Sequence, residues 1–340
     1  MKERLAIFLI TYNRKHYLKR TLDQFFSEES PVKEYAITIL DNASTDGTYE
    51  LIEEYCAKYP NLTHVRHGVN IGGNANICRA YEMGAACGKE YVWVIADDDK
   101  YDFTHWNQVE EAANQGADII CLADYIFPDK ESRGKKQHQI MQLTFVPAGI
   151  YKTSLITNSV LMAMYDAIYT MFSQSCLTIY AIEHNRKITV CDKPIVFNGL
   201  HFEDHTSNNS YTRGASKKFV LARRRDTTWL LGFSNVLSLL SDDRLKVECM
   251  DTAIHYEDIC RSEEDLKQYM LELIKVAPNY FVEIYNLLPE ELQRQVKRKT
   301  LSKKIVGFFR MFFDIRNEYV SGKKIKIFTF FGITYKKVWR

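Results

Sequence analysis

Asp97, Asp98 and Asp99 stand in a row at the end of the apolar run Tyr91–Ala96. Like charges crowded at the end of a buried strand cost free energy unless a cation or hydrogen-bond donors compensate. Such a triplet suits oxygen-only ligation of Mg²⁺ or Mn²⁺, with one or two carboxylates holding the ion and phosphate oxygens completing its shell. The plainer alternative is a solvated acidic turn. Two earlier apolar runs also end in polar residues: Leu5–Ile10 before Thr11-Tyr12-Asn13, and Tyr35–Leu40 before Asp41. The Asp41 carboxylate stands at a strand end, where the plain reading is an Asx-turn acceptor for its own loop.

These residues converge only if the runs are neighbouring strands. Between them, His16–Ser27 places Leu18, Leu22, Phe25 and Phe26 at helical spacing, and Thr48–Tyr59 does the same with Tyr49, Ile52, Tyr55 and Cys56. Strand–helix alternation of this kind predicts an α/β fold: a Rossmann-like, mainly parallel sheet flanked by helices, with the ligand crevice outside the carboxyl ends of the strands. Asp41–Gly47 reads as a polar turn in which Ser44, Thr45 or Asp46 caps the next helix. Asn70–Asn76 precedes a helix running to about Met83, and Gly72 and Gly73 let backbone approach a ligand closely.

Further on, the polar stretch from Asp129 to Gln139 reads as an exposed loop, a lid or an insertion. Residues 151–187 read as mostly helical, and Ile188–Cys191 and Pro194–Phe197 as short strands. Residues 198–216 read as loop, and 217–295 as all-helical, with one apolar face formed by Trp229, Leu230, Leu231, Phe233, Val236, Leu237, Leu239 and Leu240. The expected organisation is a catalytic domain over 1–215, a helical region over 216–296 and a tail over 297–340.

At 340 residues, 46% hydrophobic and 13% aromatic, the chain has ample material for a globular core. Eight cysteines are spread without a C-x-x-C pair, which argues against a zinc ribbon or a disulfide framework and fits a reducing cytosol. No stretch approaches the ~20 apolar residues of a spanning helix, and Leu5–Ile10 is too short for a signal peptide. A cytoplasmic protein is expected. The net charge of +2 hides an asymmetry: residues 297–340 carry 13 basic and 2 acidic side chains, the remainder 32 and 41. Lysines there interleave with Phe308, Phe309, Phe312, Phe313, Phe328, Phe330 and Phe331, a pattern suited to peripheral contact with an anionic membrane surface. The same stripes also fit an amphipathic helix and a hairpin packed on the protein itself. Nothing in the rest of the chain carries a nucleic-acid fold signature.

The chain resembles the inverting nucleotide-sugar glycosyltransferases of family 2, which have the GT-A fold. The resemblance rests on Ile10-Thr11-Tyr12-Asn13-Arg14, Ile39–Thr48 around Asp41 and Asp46-Gly47, Asn70-Ile71-Gly72-Gly73-Asn74-Ala75-Asn76, and Val92–Asp99, four motifs in order over residues 4–125. It implies transfer of a sugar from a nucleoside diphosphate, with UDP favoured by family frequency, to an oligosaccharide or lipid-linked saccharide in capsule, O-antigen or lipopolysaccharide assembly. It further implies that Thr11, Tyr12 and Asn13 frame the nucleoside and Asp41 binds the base, with Asn70, Gly73 and Asn74 in the donor loop. Asp97 would bond ribose or metal-bound water, and Asp99 would hold Mn²⁺ or Mg²⁺. Asp98 can exchange roles with either neighbour, since three adjacent acids leave the register ambiguous by one residue.

In this family a Glu-Asp pair near a helix start commonly supplies the base that deprotonates the acceptor hydroxyl. Gln174-Ser175 stand in its place. Asp166, Glu203 and Asp204 are the remaining candidate bases. His201 or His205 would complete the metal shell, and the pair gives no sign of the helix a zinc site would need. Asn208, Asn209, Tyr211 and Arg213 fit a loop closing over the diphosphate, with Arg213 as phosphate partner. Two other readings remain: a nucleotidyltransferase, for which only Arg14, Lys15 and Lys19 stand behind the first strand, and a catalytically inactive nucleotide- or glycan-binding module.

Overall fold

The computed structural model describes residues 1–122, 130–197, 199 and 232–254, then positions 285, 290, 293 and 294 and three strands within 313–338. The chain divides into two units, Met1–Arg261 and Ser262–Arg340.

The first unit opens with β1 (Leu5–Thr11), α1 (Lys15–Phe25), β2 (Ala36–Asp41), α2 (Thr48–Lys58), β3 (Leu62–Arg66), α3 (Gly73–Ala86) and β4 (Tyr91–Ala96). It continues with β5 (Lys100–Tyr101), α4 (Asn107–Asn114), β6 (Ile119–Cys121), α5 (Lys130–Gly134), α6 (Lys136–Gln142), β7 (Gly149–Lys152), α7 (Asn158–Asp166), α8 (Ser175–Glu183), β8 (Ile188–Val190) and β9 (Val196–Phe197). Seven strands form one sheet in the order β3-β2-β1-β4-β7-β6-β8, and β5 pairs with β9 separately. Within the seven-stranded sheet pairing is parallel except where β7 meets β4 and β6, and the separate β5–β9 pair is antiparallel. The mainly parallel, helix-flanked sheet expected from the sequence is what forms.

Strands covered on both faces read as continuous apolar runs, and β1 and β4 are buried along nearly their whole length. Alternation sorts their side chains. Leu5, Ile7, Leu9, Tyr91, Trp93 and Ile95 share one cluster with Leu18, Leu22 and Phe25 of α1. Trp93 centres this cluster, its ring 5.7 Å from those of Tyr101 and Trp106, its indole N–H donating to the Pro147 carbonyl at 2.8 Å. On the other face Gly84 of α3 meets Val92, where a Cβ would come within 2.6 Å of Val92 Cγ2. A side chain there would push α3 off the sheet.

Strand order reverses beside β1: β2 and β3 lie on one side, β4 on the other. A crevice at such a switch point is where open α/β sheets bind ligands.

One expectation needs correction here. The polar stretch 129–139 is largely helical, forming α5 and most of α6, because Ile140, Met141 and Gln142 are buried at the end of α6, which packs against the helix Asp243–Ile254. Residues 151–187 are mostly helical, as expected, after their first two residues, which close β7. Of the region 217–295, residues 232–237 and Asp243–Ile254 are described and helical, with Phe233, Val236, Leu237 and Leu240 buried and Leu239 exposed. The boundary expected near 215 lies outside the described residues. In the second unit, β10 (Phe313–Val320), β11 (Lys323–Phe330) and β12 (Ile333–Val338) form an antiparallel meander. Among the described residues no helix is long and apolar enough to cross a membrane.

Candidate nucleotide and metal site

Register places the candidate residues side by side. Thr11 pairs with Asp41 across β1–β2, and Ile10 pairs with Ala96 across β1–β4, so Thr11 and Asp97 leave adjacent strands together. Thr11 Oγ1 donates to Asp97 Oδ2 at 2.6 Å.

The loop after β1 is interlocked with the loop after β2. Asn13, in the left-handed region at φ 50°, receives the Thr45 N–H on its Oδ1 at 2.7 Å, and its own N–H donates to Ser44 Oγ at 2.9 Å. The Lys15 N–H donates to Asp46 Oδ2, and Asp46 Oδ1 accepts the Thr48 N–H at the start of α2. The N-cap of α2 is Gly47, in the left-handed region at φ 87°, so none of the three expected residues caps the helix; Asp46 instead bonds its first N–H from the turn before it.

Asp41 is fully buried and divides its two oxygens. Oδ1 accepts the Ser44 N–H at 3.0 Å, which is the local turn role. Oδ2 lies 3.3 Å from Arg66 Nε and makes no hydrogen bond. Arg66 is itself held by the Tyr49 ring, 4.2 Å from its guanidinium carbon, and by the Ser44 carbonyl. A buried carboxylate oxygen with an ion-pair contact and no donor is ready for the N–H of a base.

Asparagines fasten the third loop. Asn42 Nδ2 donates to Asn70 Oδ1 at 2.9 Å, and Asn42 Oδ1 accepts the Ile71 N–H. Asn76 Nδ2 reaches the Leu40 carbonyl, and its Oδ1 lies 2.9 Å from His67 Nε2. Gly73 begins α3, while Asn74 Nδ2 donates to the Ile168 carbonyl, tying the chain after α7 to the start of α3. Asp166 is exposed at the end of α7, two residues before that carbonyl.

The acidic turn after β4 is clamped by α1. Thr21 Oγ1 donates to the Asp97 carbonyl at 2.8 Å and Arg20 Nη2 to that of Asp98 at 3.2 Å. Arg14 Nη1 lies 3.0 Å from Asp97 Oδ1 and 2.6 Å from Asp98 Oδ2, and the Gly199 N–H donates to Asp99 Oδ1 at 3.0 Å. Burial raises the Asp97 carboxyl to about 6, against the opposing pull of Arg14 and the Thr11 hydrogen bond. Burial and the Asp98 charge hold Asp99 well above the usual carboxylate range despite Gly199. Burial works against the Arg14 charge, but Asp97 and Asp98 more than offset it, so its pKa rises.

The donor set fits a divalent ion. It consists only of carboxylate oxygens, and one guanidinium leaves two buried acids raised, as expected of a turn that lacks full positive compensation. Among the described residues no three acids, histidines or cysteines converge on one point, so phosphate oxygens would have to complete the shell. A raised acid binds more protons folded than unfolded, so its stabilising contribution is lost as pH rises from about 4 to about 6. The expected result is that melting temperatures of Asp97→Asn and wild type, measured without metal, diverge in the variant's favour from about pH 4 to about pH 6. A constant difference over that window would show that Asp97 is not raised.

Residues 6–179, just over half of the chain, match the family described as Glycosyl transferase family 2. The chain belongs to that family. Abequosyltransferase RfbV of Salmonella typhimurium is 34% identical over 96 residues, 28% of each chain. The poly(ribitol-phosphate) beta-glucosyltransferase of Bacillus spizizenii is 27% identical over 95 residues, 28% of this chain and 15% of that one. The matches thus span little more than a quarter of these relatives at most. S. aureus TarS 1-349 in complex with UDP-GlcNAc aligns over 99% of both chains with a TM-score of 0.54 at 15% identity. Mannosyltransferase PcManGT from Pyrobaculum calidifontis in complex with GDP-Man and Mn²⁺ aligns over 82% of this chain and 76% of that one, with a TM-score of 0.52 at 13% identity. These likenesses establish the GT-A fold expected from the motifs.

Within this family 2 chain Thr11 and Asp41 end adjacent strands, Tyr12 and Asn13 follow Thr11, Asn13 and Asn70 are tied to the loop after β2, Gly73 and Asn74 begin α3, and Asp97 bonds Thr11 at the head of the Asp97–Asp99 turn. Glu203, Asp204, His201 and Arg213 lie outside the described residues. Gln174 and Ser175 are buried at the start of α8, where Gln174 Nε2 donates to the Thr144 carbonyl. Asn42, Arg66, Asn76 and Gly199 are site residues to which the sequence alone assigned no role. Asn42 and Asn76 lay inside quoted motifs, whereas only its being a glycine marked Gly199.

Proposed function

We propose that this family 2 chain is a metal-assisted, inverting glycosyltransferase that moves one sugar from a nucleoside diphosphate, UDP in preference to GDP, to a saccharide acceptor. The observation carrying this reading is the placement of Thr11, Asp41 and Asp97 at the ends of three adjacent parallel strands, with Asp41 Oδ2 lacking a hydrogen bond. Asp41 binds the base, and Thr11, Tyr12 and Asn13 wall the nucleoside. Asp97 bonds ribose or metal-bound water, Asp99 holds Mn²⁺ or Mg²⁺, and Asn70, Gly73 and Asn74 shape the donor loop. The bound ion neutralises charge on the diphosphate leaving group. Arg213 is assigned to the phosphates, His201 to the metal shell, and Asp166, Glu203 or Asp204 to the base.

The acceptor belongs to the oligosaccharides and lipid-linked saccharides of surface glycans such as capsule, O-antigen or lipopolysaccharide. Relatives named for transferring abequose and glucose support a sugar transferase. Exposed Val69, Ile71, Met162, Tyr165 and Tyr169 lie on the two segments joined by Asn74 and Ile168, an apolar rim on which a pyranose face can stack. The basic residues of 297–340 support peripheral contact with the inner face of a membrane.

Calorimetry with UDP and GDP, each with and without Mn²⁺, tests the donor site. Tighter binding of UDP in the presence of Mn²⁺ is expected. Absence of binding to either nucleotide under all four conditions would overturn the reading. One observation favours a binding module without catalysis, namely the buried neutral pair Gln174-Ser175 at the place of the family's base. Release of sugar from donor only when acceptor is present would exclude it.

A further inference from the structure

The acidic turn already contains a cation. Arg14 Nη1 is within ion-pair distance of two of the three carboxylates, 3.0 Å from Asp97 and 2.6 Å from Asp98, and its side chain is 16% exposed. Arg14 stands just before α1, so the helix that holds the turn's backbone through Arg20 and Thr21 also delivers the charge that holds its side chains. The two kinds of restraint are separable. The Arg20, Thr21 and Gly199 bonds fasten backbone and Asp99, and none of them is made by the Arg14 guanidinium.

A guanidinium and a divalent ion are alternative solutions to the same electrostatic problem. An ion held by Asp99 that also draws on Asp97 or Asp98 would meet the Arg14 guanidinium there and be repelled, in a buried setting where screening is weak. Occupation by Arg14 therefore opposes occupation by metal, and the apparent metal affinity is reduced by the fraction of molecules in which Arg14 covers the carboxylates.

We propose that Arg14 is the internal counter-ion of the Asp97–Asp99 turn and that a divalent ion must displace it. The inference rests on the metal-assisted donor site proposed above. It explains how three adjacent acids are tolerated in the metal-free chain.

The test is Mn²⁺ titration of the full chain without nucleotide, read from the electron paramagnetic resonance signal of free Mn²⁺. Arg14→Gln should bind Mn²⁺ roughly tenfold more tightly than wild type, as expected if Arg14 covers the site in about nine molecules of ten. The gain in Mn²⁺ affinity on adding UDP should be alike in the two proteins, because phosphate ligands add contacts that Arg14 does not oppose. Equal or weaker Mn²⁺ binding by the variant would overturn the proposal and leave the donor site standing. Failure of both proteins to bind Mn²⁺ even with UDP would remove the metal-assisted site and the proposal together. If Arg14→Gln does not fold, the wild type supplies a second measurement, modification by a guanidine-specific dicarbonyl mapped to Arg14 by mass spectrometry. Saturating Mn²⁺ should accelerate modification at Arg14, and an unchanged or slower rate would overturn the proposal.

Discussion

Asp99→Ala should abolish Mn²⁺-dependent nucleotide binding and lower sugar transfer at least about a thousandfold, roughly 4 kcal/mol of lost transition-state stabilisation. The fold should survive. Asp99 is 5% exposed, and burial with the neighbouring Asp98 charge holds its pKa well above the usual range, so its ionised form is an electrostatic burden in the metal-free chain. Removing it relieves repulsion in the turn while Thr21 and Arg20 still hold the backbone carbonyls. Calorimetry with UDP and Mn²⁺ should therefore show no metal-dependent binding in a protein whose melting temperature is equal to or above that of wild type. A variant that retains the wild-type metal dependence would remove Asp99 from the metal site.

Gly199→Ala should damage the same turn from the opposite side. A Cβ at Gly199 would lie 1.9 Å from the Asp98 carbonyl oxygen and 2.9 Å from its carbon, so the obstacle is backbone and has no rotamer to adopt. Overpacking of this kind costs about 1–3 kcal/mol and sometimes more. Relief requires the segment after β9 to move away from the turn, which lengthens the Gly199 bond to Asp99 and loads the β5–β9 pairing of Lys100 with Phe197. The expected outcome is a melting temperature several degrees lower and metal-dependent UDP binding at least about tenfold weaker. Wild-type values for both would mean that Gly199 does not pack on the acidic turn. A lower melting temperature with unchanged binding would confine its role to packing.

Much of the donor half was legible because its signals are local. Strands buried on both faces appear as unbroken apolar runs, and α1 and α2 carry their apolar residues at helical spacing, so strand ends could be located to within a residue. The stretch 129–139 misled for a related reason. Its own residues are polar, and what makes α6 a helix is burial of Ile140, Met141 and Gln142 together with packing against Asp243–Ile254, a hundred residues away. Strand β7 was too short to announce itself inside a region with helical composition.

Chain order is enough for the layered α/β plan and for Thr11, Asp41 and the Asp97–Asp99 turn as candidates, since parallel strands must present their carboxyl ends on one edge. What those residues bond to follows from packing in three dimensions. Arg14 meets Asp97 across 83 positions, Gly199 meets Asp99 across 100, and Asn74 meets Ile168 across 94. Separations of that size carry no periodicity, so which charge offsets the triplet, which backbone must lack a Cβ and which Asp41 oxygen lacks a hydrogen bond follow from strand order and helix packing in three dimensions.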